Sequence, residues 1–304
     1  MPRTFFIVGP TATGKSELAG DAAREIDAEI VSADAFQIYR GLDLLTAKPG
    51  AGTLAKAPHY LVGTMAIQEE MSAEKFRTAA LRAIKEIHSR GKLAFVVGGS
   101  GLYIKALTHG LAILPQVDPK LRAKLNALSM DQLRAQLVDL DPETTRQIDT
   151  NNRRRLVRAL EICLTTGKRA SDQRKKWPAL TTIPAKGVFV FRDREELYTR
   201  INDRVKAMFE NGVIEEVRAA GATSETASQM IGLCEIRELL GGKMSILQCV
   251  AAIQQATRRY AKRQLTWFRG QTNFEPLNLS LLSHNEAVKW ISQRARRSFA
   301  RRND

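Results

Sequence analysis

The chain has 304 residues, of which 44% are hydrophobic and 26% are charged, a balance that excludes a disordered, collagen-like or coiled-coil protein. Lysine and arginine total 47 against 32 acidic residues, which gives a formal net charge of +15. Residues 1–117 contain 13 basic and 11 acidic side chains, so almost all of the excess lies in residues 118–304. A near-neutral first third followed by a basic remainder indicates a reaction core joined to a surface that binds a polyanion, although an ordinary basic protein has the same charge.

Several classes of protein are excluded by what the sequence lacks. The apolar run at residues 5–8 is too short for a signal peptide or a membrane span, and no later segment approaches a spanning length. The three cysteines are widely spaced, and the four histidines show no metal-ligand spacing. We therefore expect a cytoplasmic protein with no membrane association and no required protein partner, in keeping with a monomer.

In the first third of the chain, short apolar runs alternate with helical patterns. The predicted elements are a strand at 4–8, a helix at 16–26, a strand at 29–33, a helix at 73–90 closed by Gly91, and a buried strand at 92–97. Strands that alternate with helices favour an α/β core with a parallel sheet.

The pattern changes near residue 115. Residues 121–167 are predicted to be helical, with breaks near Ser129 and Asp141, and a polar basic stretch follows at 168–176. We therefore predict a helical insertion domain at 115–185 within a core formed by 1–114 and 186–304. The elements predicted for the second part of the core are a strand at 187–191, helices at 194–211, 213–220 and 245–268, a strand at 274–279 and a last helix that ends in the basic tail 294–302.

The strongest motif is a complete phosphate-binding P-loop, G-x-x-x-x-G-K-[ST]. It consists of Gly9, Pro10, Thr11, Ala12, Thr13, Gly14, Lys15 and Ser16. It follows a predicted strand and opens a helix, which is the context that the motif requires. Its glycines let backbone N–H groups converge on phosphate oxygens, Lys15 adds a full charge, and the Ser16 hydroxyl can bind Mg²⁺. The loop does not distinguish a nucleotide from a diphosphate.

Two more segments follow core strands, where open α/β sheets bind ligands. Asp34 ends the second predicted strand and could hold a magnesium-bound water, act as a general base or start a turn. The glycine loop at 98–101 permits a close approach of backbone to a ligand, with Ser100 pointing a hydroxyl into the same crevice. A tight strand-to-helix turn would explain that loop equally well.

Basic side chains cluster on two predicted helices. In the late helix, Arg258 and Lys262 lie one turn apart, as do Arg259 and Arg263. Adjacent columns of like charge repel each other, and phosphate partners would relieve that repulsion. A similar cluster occupies residues 152–158. Each run alone is typical of a solvated helix face, but two runs in one basic chain favour a nucleic-acid partner.

Taken in order, these motifs resemble the tRNA dimethylallyltransferases, also called tRNA isopentenyltransferases or the IPP transferase family. The resemblance covers essentially the whole chain, in the segments GPTATGKS, SADAFQIYRGLDLLTAKP, VGGSGLYIKAL, NRRRLVRALEI, RINDRVKAMFENGVIEEVR, MIGLCEI and TRRYAKRQLTWFR. It implies a bacterial-type enzyme that transfers a dimethylallyl group from dimethylallyl diphosphate to the N6 amine of the adenine 3′ to the anticodon, releasing diphosphate.

The resemblance also implies roles for individual residues. The P-loop would bind the diphosphate with Mg²⁺, through Ser16, rather than drive work with ATP. Asp34 would be the base, and Lys15, Ser100 and Arg218 would complete the catalytic set, with Arg218 serving the diphosphate. The implied contacts with the anticodon stem-loop of tRNA are Asp34, Ala35, Phe36, Gln37, Ser100, Arg122, Asn152, Arg153, Arg154, Arg155, Leu156, Met230, Gly232, Glu235, Thr257, Arg258, Arg259, Lys262, Arg263 and Gln264.

Five residues at three sites depart from the pattern of this family. Ser100 stands where a threonine is more usual, and Ala35-Phe36 replaces a common Ser-Arg pair. Leu233-Cys234 replaces an aromatic residue followed by a basic one. These departures leave the expected reaction unchanged and concern local contacts with tRNA.

Other functions fit parts of the sequence. A small-molecule P-loop kinase explains the loop but gives no role to the basic second half. A nucleotide-gated RNA-binding protein explains the charge but gives Asp34 no role. An enzyme that prenylates free AMP or ATP has no use for the insert and the basic helix.

Overall fold

The structure is a computed structural model that describes residues 3–111, 118–175, 185–271 and 274–299. The chain divides into two compact units. The described parts of Met1–Thr108 and Ile183–Asp304 form the first unit, and those of His109–Thr182 form the second. Within the described residues, no helix combines the length and the apolar character needed to cross a membrane.

The first unit is built on a six-stranded, entirely parallel sheet. Its strands are β1 (Thr4–Val8), β2 (Glu29–Ser32), β3 (His59–Tyr60), β4 (Ala94–Gly98), β5 (Gly187–Phe191) and β6 (Glu275–Asn278), arranged in the order β3-β2-β4-β1-β5-β6. Two strands at the centre, β4 and β1, lie side by side with β2 and β5 outside them, so segments that follow β1, β2 and β4 emerge at one edge.

Helices cover both faces of this sheet and are the regular elements of the second unit in its described residues. In chain order they are α1 (Lys15–Ile26), α2 (Ala51–Leu54), α3 (Ala73–Ser89), α4 (Gly101–Thr108), α5 (Pro119–Ala127), α6 (Met130–Leu140), α7 (Pro142–Gln147), α8 (Arg153–Thr166), α9 (Ala170–Lys175), α10 (Arg194–Glu210), α11 (Val213–Ala219), α12 (Leu233–Leu240), α13 (Ile246–Arg269) and α14 (His284–Phe299). Helices α5 to α9 belong to the second unit.

The strands are apolar on both faces because both faces are covered. In β1, Phe5 and Ile7 belong to a core cluster that includes side chains of α1 and α14. Phe6 and Val8 point the other way, into a larger cluster with α3, α11, α12 and α13. This arrangement explains why the strands read as continuous apolar runs rather than as alternating ones.

The α/β fold class with a parallel sheet is confirmed, and most elements lie where the sequence places them. The strands at 4–8 and 187–191 match residue for residue. Strand β3 and helices α2 and α12 were not predicted, because two to eight residues carry too little periodicity. The polar basic stretch at 168–176, for which no element was predicted, contains α9. The predicted domain boundary near 115 and the last residues of the basic tail lie outside the described residues.

The second unit has its own core of leucines, formed chiefly by α6 and α8. Buried Asp141 caps α7 and accepts hydrogen bonds from Thr144 and Ser171. Burial opposes its ionisation, but these hydrogen bonds outweigh burial and lower the pKa of Asp141 to about 2. The carboxylate therefore stays ionised and holds α7 and α9 together.

Gly98, at the end of β4, provides a test of how tightly the edge of the sheet is packed. A Cβ there would lie 2.2 Å from the Ala33 carbonyl oxygen, which is backbone and cannot move aside easily. We expect Gly98→Ala to lower the free energy of unfolding by about 3 kcal/mol. Gly50→Ala is the matched control, because its φ of −68° suits any residue and nothing lies within 4 Å. Equal midpoints in urea for the two variants would contradict this packing.

Candidate functional site

Three loops meet at the carboxyl edge of the sheet. The P-loop follows β1, the segment from Asp34 follows β2, and the Gly98–Gly101 loop, here called the glycine loop, follows β4. Because β2, β4 and β1 are neighbours, the loops are joined by backbone bonds: Gly9 N–H donates to Gly98 O at 3.3 Å, and Ser100 N–H donates to Ala33 O at 3.3 Å. The crevice is therefore where α/β sheets of this kind bind ligands.

The P-loop has the backbone geometry of an anion-binding loop. Ala12 and Gly14 both have positive φ, 65° and 89°, so the chain turns sharply just before α1 begins. A side chain at Gly9 would place its Cβ 2.1 Å from the Val190 carbonyl oxygen, so only glycine fits against β5. From α10, Arg200 Nε donates to Ala12 O at 2.9 Å, which fixes one carbonyl of the loop.

Lys15 opens α1 and lies partly buried in the loop. Its Nζ donates to Pro10 O at 3.1 Å. Burial lowers the pKa of Lys15 to about 8; the Asp34 charge opposes this shift and the Arg204 charge adds to it. Lys15, Asp34 and Arg204 are therefore close enough to interact, with two cations beside one carboxylate. An anionic ligand would balance this excess of positive charge.

Asp34 is held by the loop that it begins. Its Oδ1 accepts from Phe36 N–H at 3.0 Å and from Gln37 N–H at 3.3 Å. Ser100 supports the same segment, because its Oγ accepts from Ala35 N–H at 2.9 Å. The carboxylate thus keeps a fixed orientation beside the P-loop. Of the three roles considered for Asp34, the structure shows the start of a turn. This turn places the carboxylate in the crevice.

Tyr260 of α13 completes this side of the crevice. Burial and the Asp34 charge raise the pKa of the Tyr260 hydroxyl above its usual range, so the hydroxyl remains protonated. The nearby Ser100 side chain opposes part of this shift. Ser100 is itself buried. Ser100 therefore helps to position the segment that begins at Asp34.

Arg204 of α10 is the functional side chain that the sequence analysis missed. Burial lowers its pKa, and the Asp34 charge opposes that shift. Its Nε is buried and has no hydrogen-bond partner in the part of the chain that the structure describes. A guanidinium with an unused donor beside a phosphate-binding loop is suited to an anion. The signal available was the spacing of Arg200 and Arg204, one helical turn apart.

A pocket opens between these groups and the helices that cover the sheet. Its lining combines the charged side chains of Asp34 and Arg204 with apolar side chains. The residues that line it are Thr11, Asp34, Phe36, Leu45, Thr46, Ala47, Arg204, Val205, Met208, Met230, Ile231, Ile253, Thr257 and Tyr260. One cavity thus offers charged groups for an anion and apolar surface for a small hydrocarbon.

The loop that carries Leu45 is fixed by one carboxylate. Glu216 of α11 accepts from Leu44 N–H through Oε1 and from Leu45 N–H through Oε2, each at 2.8 Å. We expect Glu216→Ala to lower the free energy of unfolding by about 2 kcal/mol and to speed amide exchange at Leu44 and Leu45. Its neighbour Glu215 is exposed, so Glu215→Ala should change neither quantity. Hydrogen exchange measured by mass spectrometry decides this, and unchanged protection in Glu216→Ala would contradict it.

The residues predicted on α13 divide between its two sides. Arg259, Lys262 and Arg263 are exposed. Arg258 is partly buried and donates to Asn202 Oδ1. Thr257 is buried, donates to Ile253 O at 2.7 Å and lines the pocket. Gln264 is also buried, so the helix that carries a basic face outward also brings side chains to the pocket and the loops.

Three predicted tRNA contacts near α12 have internal positions. Met230 is buried and lines the pocket. Gly232 has a φ of 97°, which suits glycine, and a Cβ there would lie 2.8 Å from Leu45. Its N–H donates to Glu235 at 3.0 Å, which caps α12. Met230 therefore belongs to the pocket wall, whereas Gly232 and Glu235 form the start of α12.

The structure does not bring Arg218, a predicted catalytic residue, into the pocket. The Arg218 side chain is 61% exposed and pairs with Glu215 at 3.6 Å. It does not line the pocket that holds Asp34 and Arg204. The reason is its place on α11, where Val217 faces the core and the next residue faces outward.

In the second unit, several of the predicted tRNA contacts instead cap a helix, pack in the core or bind other parts of the protein. Asn152 caps α8, Leu156 is buried in the leucine core, and Arg153 donates to the Asn126 and Leu128 carbonyls. Arg122 forms a two-pronged ion pair with Glu161. Leu156 is therefore corrected from an RNA contact to a core residue. Arg154 and Arg155, by contrast, are exposed.

The described residues offer little to a metal ion by themselves. They contain no group of three or more His, Cys, Asp and Glu residues able to hold one. Ser16, the last residue of the P-loop, is partly buried in the first turn of α1. Its oxygen fits a Mg²⁺ ion whose other ligands come from phosphate oxygens and water, as this ion prefers.

Comparisons with known proteins agree with this geometry. The sequence model of the family described as IPP transferase matches residues 37–271. A tRNA dimethylallyltransferase of Akkermansia muciniphila is 43% identical over 266 residues, which cover 88% of this chain and 90% of the relative. A tRNA dimethylallyltransferase 1 of Citrifermentans bemidjiense is 45% identical over 272 residues, 88% of this chain and 89% of the relative.

Solved structures show the same similarity. The tRNA delta(2)-isopentenylpyrophosphate transferase of Staphylococcus epidermidis has a TM-score of 0.70 and 33% identity, covering 98% of this chain and 100% of that one. A eukaryotic dimethylallyltransferase, solved acting on tRNA, has a TM-score of 0.77 and 26% identity, covering 97% of this chain and 78% of that one. The similarity thus extends over nearly the whole chain.

Proposed function

Because this chain belongs to the IPP transferase family, we propose that it transfers a dimethylallyl group from dimethylallyl diphosphate to the N6 amine of the adenine 3′ to the anticodon of tRNA. The observation that carries this proposal is one pocket in which the Asp34 carboxylate, Thr11 of the P-loop and apolar side chains meet. A diphosphate ester of a short hydrocarbon and an amine nucleophile together account for all three features.

Asp34 acts as the base in this proposal. The exocyclic amine of adenine is a weak nucleophile, because its lone pair is delocalised into the ring. A carboxylate that removes a proton as the N6–C bond forms compensates for that weakness. The hydrogen bonds from Phe36 and Gln37 hold Oδ1 of Asp34 in the turn, and Oδ2 is the oxygen that we assign to the proton.

The diphosphate leaves with the electron pair of the C–O bond, so negative charge develops on its oxygens. Lys15, Arg204 and the N–H groups of the P-loop stabilise that charge. Arg204 takes the role that the sequence had assigned to Arg218. A bound Mg²⁺, held by Ser16 and the diphosphate, would neutralise further charge on the leaving group.

The apolar side chains of the pocket receive the dimethylallyl group. Leu45, Met208 and Ile253 offer methyl and methylene surface and no competing nucleophile. Excluding water from this apolar surface favours the amine over water as the acceptor.

tRNA binds through exposed basic side chains in this proposal. Arg259, Lys262 and Arg263 on α13 and Arg154 and Arg155 on α8 contact phosphates, which position the RNA without reading its sequence. The target adenine leaves its stack to reach Asp34. Since tRNA is the acceptor, we place the reaction in the cytoplasm, and it needs one copy of the chain.

A transfer assay tests the proposal against its alternatives. Purified protein, Mg²⁺ and labelled dimethylallyl diphosphate are incubated with tRNA, with AMP or with no acceptor. We expect label in tRNA alone. Label in AMP but never in tRNA would contradict the proposal, and phosphoryl transfer from ATP to a small acceptor would favour a kinase.

A further inference from the structure

Gln264 joins two of the loops that form the site. It lies on α13 and is 5% exposed. Its Oε1 accepts from Thr11 N–H in the P-loop at 2.9 Å, and its Nε2 donates to Gly99 O in the glycine loop at 2.9 Å. Both ends of one amide are therefore used inside the protein.

The glycine loop has a shape that admits this helix. A Cβ at Gly99 would lie 2.3 Å from Gln264 Nε2 and 2.8 Å from the Gly9 carbonyl oxygen. A Cβ at Gly101 would lie 2.7 Å from the Trp267 ring, three residues further along α13. Two glycines thus make room for two side chains of the same helix face, so α13 is seated against both loops.

The bond to Thr11 completes a set of contacts that hold the P-loop from outside. Arg200 holds the Ala12 carbonyl, and Arg192 Nε donates to the Thr13 carbonyl at 3.0 Å. Gln264 fixes the backbone at Thr11, which also lines the pocket. A loop whose outer groups are fixed keeps its inner groups in place for a ligand without further loss of entropy.

We propose that Gln264 is a positioning residue that ties α13 to the P-loop and thereby keeps the loop in the shape that binds diphosphate. The helix that presents Arg259 and Lys262 to tRNA would then also determine how tightly the diphosphate is held. This inference rests on the proposed function for the identity of the ligand.

Calorimetry with inorganic diphosphate and Mg²⁺ tests this directly, because it requires no turnover. Leucine has nearly the size of glutamine and no polar atoms. We expect Gln264→Leu to weaken diphosphate binding about tenfold and to raise the KM for dimethylallyl diphosphate by a similar factor. Its affinity for tRNA should stay within about twofold of the wild type, since the exposed arginines are unchanged.

Gln254→Leu is the matched control. Gln254 lies on the same helix, and its amide donates to the Asn202 carbonyl at 3.2 Å, away from both loops. This variant should bind diphosphate as the wild type does. Unchanged diphosphate affinity in Gln264→Leu, or an equal loss in both variants, would overturn the inference. A loss of tRNA affinity alone would instead make Gln264 a tRNA contact.

Gln264→Glu keeps the test valid if the leucine variant fails to fold. An ionised carboxylate would face the Gly99 carbonyl oxygen, whereas a protonated one can still donate to it. Diphosphate affinity relative to wild type should therefore rise as the pH falls, and a ratio that does not change with pH would overturn the inference. If wild type binds diphosphate but never prenylates tRNA, the proposed function fails while the role of Gln264 stands.

Discussion

Replacing Asp34 by asparagine should lower kcat for tRNA prenylation by about 10³-fold while leaving tRNA affinity nearly unchanged. Asparagine keeps an oxygen for the Phe36 and Gln37 N–H groups, so the turn that orients the side chain is retained. What it loses is the ability to take a proton from the N6 amine. Single-turnover rates with saturating tRNA, combined with filter binding, separate these two effects.

Asp203→Asn is the control for this prediction. Asp203 is an exposed carboxylate on α10, one residue before Arg204, and its loss removes the same charge without touching the crevice. It should retain kcat within about twofold. Full activity in Asp34→Asn would remove Asp34 as the base, and loss of tRNA binding in that variant would make it an RNA contact instead.

Replacing Arg204 by glutamine should lower kcat/KM for dimethylallyl diphosphate by about 10²-fold or more. The buried Nε has no hydrogen-bond partner within the described residues, so its donor is free for the leaving group. Glutamine cannot supply the positive charge that the departing diphosphate needs. Steady-state kinetics with the diphosphate as the varied substrate measures this loss.

Arg218→Gln provides the contrast, because the sequence had placed Arg218 at the diphosphate. That side chain is exposed and pairs with Glu215, so its loss should change kcat/KM by less than about twofold. If Arg218→Gln were inactive and Arg204→Gln fully active, the sequence expectation would be restored and the structural assignment would be wrong.

The parts of the fold and the site that follow from local sequence were predictable. The P-loop between a strand and a helix is a local pattern, and the structure places it between β1 and α1. Asp34 was located by the rule that ligands bind where parallel strands end. The three predicted loops meet because β2, β4 and β1 are neighbours in the sheet. This outcome depends on the order of the strands.

The remaining site residues come from helices far along the chain, and their facing could not be predicted. Arg204 and Gln264 lie in helices rich in charged residues. From sequence alone, such residues are predicted to lie on a face exposed to solvent. Whether one arginine points inward depends on where the helix packs. Gln264 was predicted to contact tRNA for the same reason, although it binds Thr11, 253 residues away in sequence. Leu156 was predicted to contact RNA because its neighbours are basic, although it is a core leucine.

The position of the modification is the most direct test of the whole account. Two anticodon stem-loops, identical except for adenine or guanine 3′ to the anticodon, are incubated with the protein, Mg²⁺ and dimethylallyl diphosphate, then digested and analysed by mass spectrometry. We predict N6-dimethylallyladenosine from the adenine-containing RNA and no modified nucleoside from the other. Modification of both RNAs, or of neither when the diphosphate is demonstrably bound, would contradict the assignment of this pocket to adenine prenylation.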